Sequence, residues 1–208
     1  QEGAASVTDQ IVSFDCLLAT DDADSYKELY FTKLIVFAMI PLVLSFFAFV
    51  YWIGFFLFKR QLKVFKKEFI ATLVVLFFLI HPSIVKANFA MFSCIEILNG
   101  ELWLEDNLDI RCYGLEHSFY AVVVALPALI IWGIGVPTLI LIYLFKKKHD
   151  LAALGNKLRF GFIYNGFRRR EFYWEFVILY RKIVIICCVV FIGNYSVKVQ
   201  ALTIMFIL

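Results

Sequence analysis

The chain has 208 residues, of which 62% are apolar and 18% aromatic, and its formal net charge is +3. An average soluble domain is only about 45–50% apolar, so this composition excludes an ordinary soluble enzyme. Several apolar runs reach the ~20 residues that cross ~30 Å of hydrocarbon as a helix. We therefore predict an all-α, polytopic transmembrane helix bundle with about four full spans and a truncated fifth.

The charges near the start of the chain predict its orientation. Residues 1–32 contain seven acidic residues and one lysine, a formal charge of −6, and are interpreted as an exoplasmic juxtamembrane segment. Residues 33–208 form the predicted transmembrane domain, with a first span over 33–58. The connector 59–68 carries five bases and one acid, or +4, and the positive-inside rule places such a short basic connector in the cytoplasm.

The second apolar run, residues 69–98, contains three candidate functional residues. His81 and Pro82 fall near its middle, and proline there removes a backbone donor and favours a kink that opens a cavity. Lys86 either lines a polar cavity or, in the simpler interpretation, extends to the exoplasmic surface. No second histidine or carboxylate stands at ligand spacing from His81, so we predict no metal site. The following loop, 96–117, has a formal charge of −5 and is predicted to be exoplasmic.

The third run, residues 118–145, would measure roughly 42 Å as a straight helix. It is expected to tilt or kink, and its prolines favour a kink. The basic stretch 146–170 then returns the chain to the cytoplasmic side. Its basic residues alternate with aromatic ones, which predicts contact with anionic lipid headgroups and not with nucleic acid. The candidate headgroup residues are Arg159, Arg168, Arg169 and Arg170.

The fourth predicted span, residues 173–193, carries Glu175, Arg181 and Lys182. A charge at mid-helix costs about 2.5–3.5 kcal/mol on insertion scales, so such residues usually face a partner or a cavity. One interpretation is a charged element near an ion or substrate pathway, or a switch. The alternative is that the two basic side chains extend to the cytoplasmic headgroups.

The last residues, 199–208, resemble half of a fifth span, and no signal-peptide pattern opens the chain. We expect a fragment of a larger polypeptide. In a competing partition, residues 171–182 form a surface helix and 183–208 a single span. Asn194 begins an Asn-Tyr-Ser sequon and is a candidate glycosylation site that would exclude this partition.

The five cysteines follow no metal-binding or redox spacing. Cys187 and Cys188 lie in an apolar run and are expected to be buried small hydrophobes. Cys16 and Cys112 both lie in acidic, predicted exoplasmic surroundings and form the candidate disulfide. Cys94 is a rival partner, and free thiols are the alternative.

Several stretches together resemble a membrane domain common in ciliates, algae and oomycetes, which is distantly similar to the fungal transient-receptor-potential-like family. In that group the domain usually follows large cysteine-rich or growth-factor-like extracellular repeats. The resemblance implies a multi-pass protein of the plasma or ciliary membrane with an extracellular N-terminal part. It also implies that Glu175, Arg181 and Lys182 belong to a recurring motif. The stretches that carry it are residues 13–16, 81–86, 109–112, 125–137, 159–167 and 173–182.

No catalytic motif is present, neither G-x-S-x-G, nor H-E-x-x-H, nor a phosphate-binding glycine loop. We therefore expect no enzyme activity and no cofactor. The leading hypothesis is a channel-like or receptor-like membrane domain that conducts ions. The alternatives are a structural membrane anchor of an extracellular or ciliary assembly and a small-molecule carrier. The expected partners are membrane lipids, the rest of the same polypeptide, and a homo-oligomer or a larger ciliary assembly.

Overall fold

The computed structural model describes residues 23–59, 62–98, 100–148, 171, 173–192 and 197–207, which are mostly helical. The helices are α1 (Ala23–Lys59), α2 (Leu62–Ala90), α3 (Leu115–Lys146), α4 (Trp174–Ile192) and α5 (Val197–Ile207). The strands are β1 (Cys94–Leu98), β2 (Glu101–Leu104) and β3 (Asn107–Arg111).

Three helical segments are long and apolar enough to cross a membrane: Tyr26–Phe58, Glu68–Ala90 and Leu115–Lys146. Large apolar side chains cover their outer faces, and Phe46 and Phe47 are each 63% exposed. Since a soluble protein rarely exposes such a large apolar surface, lipid must cover it. The prediction of an integral membrane protein built from apolar helices is confirmed at this level.

The helices extend beyond the apolar runs that predicted them. α1 begins at Ala23, inside the acidic segment, and not at Lys33. α2 begins at Leu62, inside the basic connector, but it ends at Ala90, and the last residues of the predicted run 69–98 form the strand Cys94–Leu98. Helical backbone hydrogen bonds do not require apolar side chains, so a helix continues past the membrane-spanning part of its sequence.

The all-α prediction is wrong between residues 94 and 111. This segment forms a three-stranded antiparallel sheet in the order β1-β2-β3, with Ile95 opposite Trp103 and Trp103 opposite Arg111. Gly100 lies between β1 and β2 with a φ of +80°, a conformation that glycine adopts without steric cost. We call residues 94–111 the cap.

The cap packs onto the helix ends nearest to it through one buried apolar cluster. Leu104 of β2 is fully buried and Ile110 of β3 nearly so. Phe31 of α1 stacks on Tyr120 of α3 with ring centroids 4.1 Å apart. Cap and helix ends therefore share a core, whose buried members are Phe31, Leu34, Met91, Leu104, Ile110, Cys112, Ala121 and Ala125.

α2 and α4 lie side by side and both run toward the cap. Phe78 meets Phe176 at 5.9 Å far from the cap, and Phe89 meets Phe191 at 6.1 Å near it. α4 continues unbroken past residue 183, and α5 packs against it. The boundary of the competing partition, between residues 182 and 183, thus lies inside one helix, and the crossing of the membrane by α4 stays a prediction.

α3 contains two π-helical stretches, Ala121–Ala125 and Leu129–Gly135. Pro127 lies between them, and Pro137 follows the second. A π turn holds an extra residue, which is a recognised way to accommodate a disrupted hydrogen-bond ladder. The irregularity that the prolines predicted thus takes the form of two π-helical stretches.

We expect Gly135→Ala to destabilise the protein by about 1–3 kcal/mol, because an added methyl group would overpack this turn. A Cβ at position 135 would lie 3.0 Å from the backbone oxygen of Ile130. Gly54→Ala is the matched control: nothing lies within 4 Å of its Cβ position, so the substitution should stabilise α1 by up to about 1 kcal/mol. Denaturant titration in mixed micelles measures both changes, and equal stability of the Gly135→Ala variant and the wild type would contradict the close approach.

Candidate functional site

A cavity of about 190 Å³ between α2 and α4 brings together four of the six intramembrane candidates. His81 and Pro82 line it from α2, and Glu175 and Lys182 line it from α4. Phe78, Leu79 and Leu179 complete the described lining. Sequence reasoning named these polar residues separately, and the packing of the two helices makes them one site.

His81 connects this cavity to α3. Its side chain is only 2% exposed, and its Nε2 lies 3.2 Å from the carbonyl oxygen of Gly133, in the second π-helical stretch. A carbonyl oxygen only accepts, so Nε2–H is the donor. The Phe77 ring packs against the imidazole at 5.4 Å. The Gly133 carbonyl and the Phe77 ring therefore hold the imidazole in one orientation.

The α4 side of the cavity carries both signs of charge. Glu175 and Lys182 are seven residues apart, about two helical turns or ~10 Å, on one face of the helix. A cavity of about 190 Å³ has room for roughly six water molecules at about 30 Å³ each. Hydration of this kind lowers the cost of placing charges at membrane depth.

Neither Arg181 nor Lys86 belongs to the described lining of this cavity. Both side chains are exposed. Lys86 lies toward the cap, where its charge acts on Asp106.

Beside Arg181, the Tyr180 hydroxyl lies 2.6 Å from Thr138 Oγ1, which donates to the Ile134 carbonyl at 2.6 Å. The Tyr180 hydroxyl therefore donates to Thr138, and this bond sets the rotation of α4 against α3.

Asn88 is a buried polar residue of α2 that the sequence analysis did not identify. It is fully buried and lies seven residues after His81, on the same face of α2. Its Nδ2 donates to the Ile84 carbonyl at 2.8 Å, while its Oδ1 has no hydrogen-bond partner within the described part of the chain. The helical spacing from His81 was the available signal.

Ser93 joins the cap to the near end of α4. Its Oγ lies 2.5 Å from Oε2 of Glu105 in the cap and 3.1 Å from the carbonyl oxygen of Val190. Ser93 lies three residues after the end of α2 and directly precedes Cys94. Its single hydroxyl hydrogen can be donated either to the cap or to α4, since both groups are acceptors within reach.

The structure pairs Cys112 with Cys94, the rival partner, with their Cα atoms 6.3 Å apart. The predicted pairing of Cys16 with Cys112 is therefore wrong, because each sulfur forms only one disulfide. The sheet brings the start of β1 beside the residue that follows β3, a proximity that loop composition does not reveal. Cys187 and Cys188 are half-buried free thiols.

The disulfide sulfurs and a His117 nitrogen lie within 4.8 Å of one another, a spacing compatible with a metal ion. These candidate ligand atoms already have other bonding partners. Both sulfurs are in the disulfide, and a thiolate is the form that binds metal. His117 Nδ1 accepts from the Tyr113 N–H at 3.3 Å, so Nε2–H donates to the Met91 carbonyl at 3.0 Å. The disulfide joins the two ends of the cap, and His117 joins α3 to the residue that follows α2. We therefore propose no metal at this cluster.

The remaining candidates lie outside the described residues: Cys16, Arg159, Arg168, Arg169, Arg170 and Asn194. Their predicted roles stay predictions.

No family model and no solved structure matches the chain. It is 27% identical over 139 residues to "Cysteine repeat modular protein A" of Toxoplasma gondii, a match that covers 62% of this chain. The same match covers only 4% of that protein. The chain is thus similar to a small part of a very long protein whose name describes cysteine repeats in a modular arrangement.

Proposed function

We propose that the chain is a channel-like or receptor-like membrane domain that couples an extracellular region to a charged, hydrated cavity between α2 and α4. The observation that carries the proposal is the grouping of His81, Glu175 and Lys182 around one cavity. Charges are expensive at membrane depth and usually mark an ion or substrate pathway or a switch.

The contacts between the cap and the helices supply a coupling route. α2 lines the cavity with His81 and ends at Ala90, three residues before Ser93, whose hydroxyl lies within hydrogen-bond distance of both the cap and α4. A displacement of the cap would therefore shift α4 relative to α2 and alter the cavity between them. The proposal includes ion conduction, which would pass either through other spans of the same polypeptide or through a homo-oligomer.

We further infer that α4 crosses the membrane as a fourth span and α5 begins a fifth, with the cap exoplasmic. α4 measures roughly 28 Å and contacts α2 through Phe176 and Phe191 over nearly its whole length. α1 and α3 start at the cap, while α2 and α4 end there. This alternation and the basic connectors support a cytoplasmic position for residues 59–68 and 146–170, in a plasma or ciliary membrane.

Neutralising the cavity lysine is expected to alter conduction. In planar bilayers containing the reconstituted full-length protein, Lys182→Gln should change unitary current or open probability at least about fivefold, since removing an intramembrane charge alters the local potential by more than 1 kcal/mol. Arg181→Gln is the matched control, because Lys182 lines the cavity and the neighbouring Arg181 is not among its described lining. Equal effects of the two variants would contradict the assignment of the cavity.

A structural membrane anchor is the second candidate function. The small share of the Toxoplasma relative that matches, 4% of its length, favours it, because a short membrane domain in a very long protein suffices to hold an assembly at a surface. Absence of current under voltage, stretch and ligand challenge, together with release of the extracellular part when the membrane domain is deleted, would favour the anchor.

A further inference from the structure

A second pocket, of about 350 Å³, lies between the first turns of α1 and the cap, away from the α2–α4 cavity. Tyr26, Tyr30 and Lys33 of α1 form one wall. Asp106, Asn107 and Asp109 of the cap form the other. The lining therefore combines two aromatic rings, two carboxylates and one ammonium group.

One hydrogen bond joins the two walls, and a second one orders the acidic turn of the cap. Asn107 Nδ2 donates to the Tyr26 carbonyl at 3.4 Å, and Asn107 Oδ1 accepts from the Asp109 N–H at 3.0 Å. The neighbouring residue Ile110 belongs to the buried core that the cap shares with α1. The acidic turn is thus fixed against α1, and the pocket exists before any ligand binds, which reduces the entropy cost of binding.

The carboxylates favour a positively charged ligand. Partial loss of hydration raises the pKa of the Asp106 carboxyl above its ordinary value, and the charge of Glu105 raises this pKa further, whereas Lys86 acts in the opposite direction. A cation bound beside Asp106 would replace part of the lost hydration. Tyrosine rings attract an ammonium group through their faces, and Tyr26 and Tyr30 line the same pocket as Asp106.

The charged groups follow an order along α1. Tyr26 lies nearest the start of the helix, and Lys33 is seven residues, or ~10 Å, further into the span. Lys33 has interactions of its own within the protein, and its positive charge lies at the deeper end of the pocket. A phosphocholine headgroup shows the matching order, since its ammonium group points to water and its phosphate lies nearer the acyl chains.

We propose that this pocket binds a phosphocholine-type zwitterion, with the ammonium group between Tyr26, Tyr30 and the carboxylates of Asp106 and Asp109, and the phosphate toward Lys33. A phospholipid at the membrane boundary and free phosphocholine share this chemistry. The site concerns lipid or headgroup recognition and does not depend on ion conduction.

The test uses the full chain in nanodiscs and native mass spectrometry of the lipids that stay bound. We expect phosphatidylcholine to be retained about tenfold over phosphatidylglycerol, and the double variant Asp106→Asn, Asp109→Asn to lose this preference. Glu101→Gln is the matched control, because Glu101 pairs with Arg111 at 2.9 Å and is not among the pocket's described lining. Tyr26→Leu is a second variant; Tyr26 is 43% exposed, so it can lose its ring without loss of the core.

The outcomes separate the two ligand sources. Retained phosphatidylcholine that soluble phosphocholine does not displace identifies a lipid site, and direct binding of soluble phosphocholine that excludes the lipid identifies a free zwitterion. Equal retention of both lipids without binding of soluble phosphocholine overturns the proposal. So does an unchanged preference in the double variant and in Tyr26→Leu, when hydrogen exchange of the cap amides shows that both are folded.

Discussion

Leu104→Ala is expected to lower the free energy of unfolding of the cap by about 2–5 kcal/mol, the range for a leucine removed from a packed core. Leu104 is 0% exposed and lies in the cluster that joins the cap to α1 and α3. Its truncation leaves a void at the one place where cap and helices share a core. Hydrogen exchange of the strand amides, converted to opening free energies, measures the loss.

Leu108→Ala is the matched control for this prediction. Leu108 lies four residues later in the same sheet but is 53% exposed, so its truncation should change the opening free energy by less than about 0.5 kcal/mol. If the two alanine variants exchanged at equal rates, the cap would not depend on the shared core that the structure describes.

Removal of the disulfide should destabilise the cap by a similar amount. The bridge joins Cys94 to Cys112 across 18 residues, and a closed loop of this size constrains the unfolded chain by about 3 kcal/mol. The double variant Cys94→Ser, Cys112→Ser should therefore expose the strand amides to exchange by about two orders of magnitude. A reducing agent should produce the same change in the wild-type chain.

Substitution of the two free cysteines of α4 is the control for removal of the disulfide. Replacing Cys187 and Cys188 with serine should leave the exchange of the cap amides unchanged, because neither thiol is in a disulfide. Mass spectrometry after alkylation without reduction should label these two cysteines and spare Cys94 and Cys112. Labelling of Cys112 under these conditions would contradict the pairing and reopen Cys16 as its partner.

The cap shows where reasoning from composition fails. Residues 96–117 were predicted to be an exoplasmic loop from their formal charge of −5. Two of their apolar residues, Leu104 and Ile110, belong to the core that the cap shares with the helices. A short strand offers little periodicity on its own, and only pairing with its neighbours and packing against Phe31 make it stable.

The sequence predicted the individual residues of the candidate site but not their grouping. His81, Glu175 and Lys182 were each conspicuous because a polar residue in a long apolar run is costly. Their grouping depends on the rotation of α2 and α4, which Phe78–Phe176 packing sets. Arg181 looked equivalent to Lys182 in the sequence, but one residue of helical rotation, about 100°, separates it from the face that lines the cavity with Lys182.

The sequence by itself determined that this protein is a helical membrane protein and which residues are unusual within its helices. Apolar run length and charge blocks are local properties, and transfer into lipid depends on them directly. Only the tertiary structure decided the sheet, the partner of Cys112 and the common cavity of His81 and Lys182. These features depend on distances between residues far apart in the chain, which packing and strand pairing set and local composition does not encode.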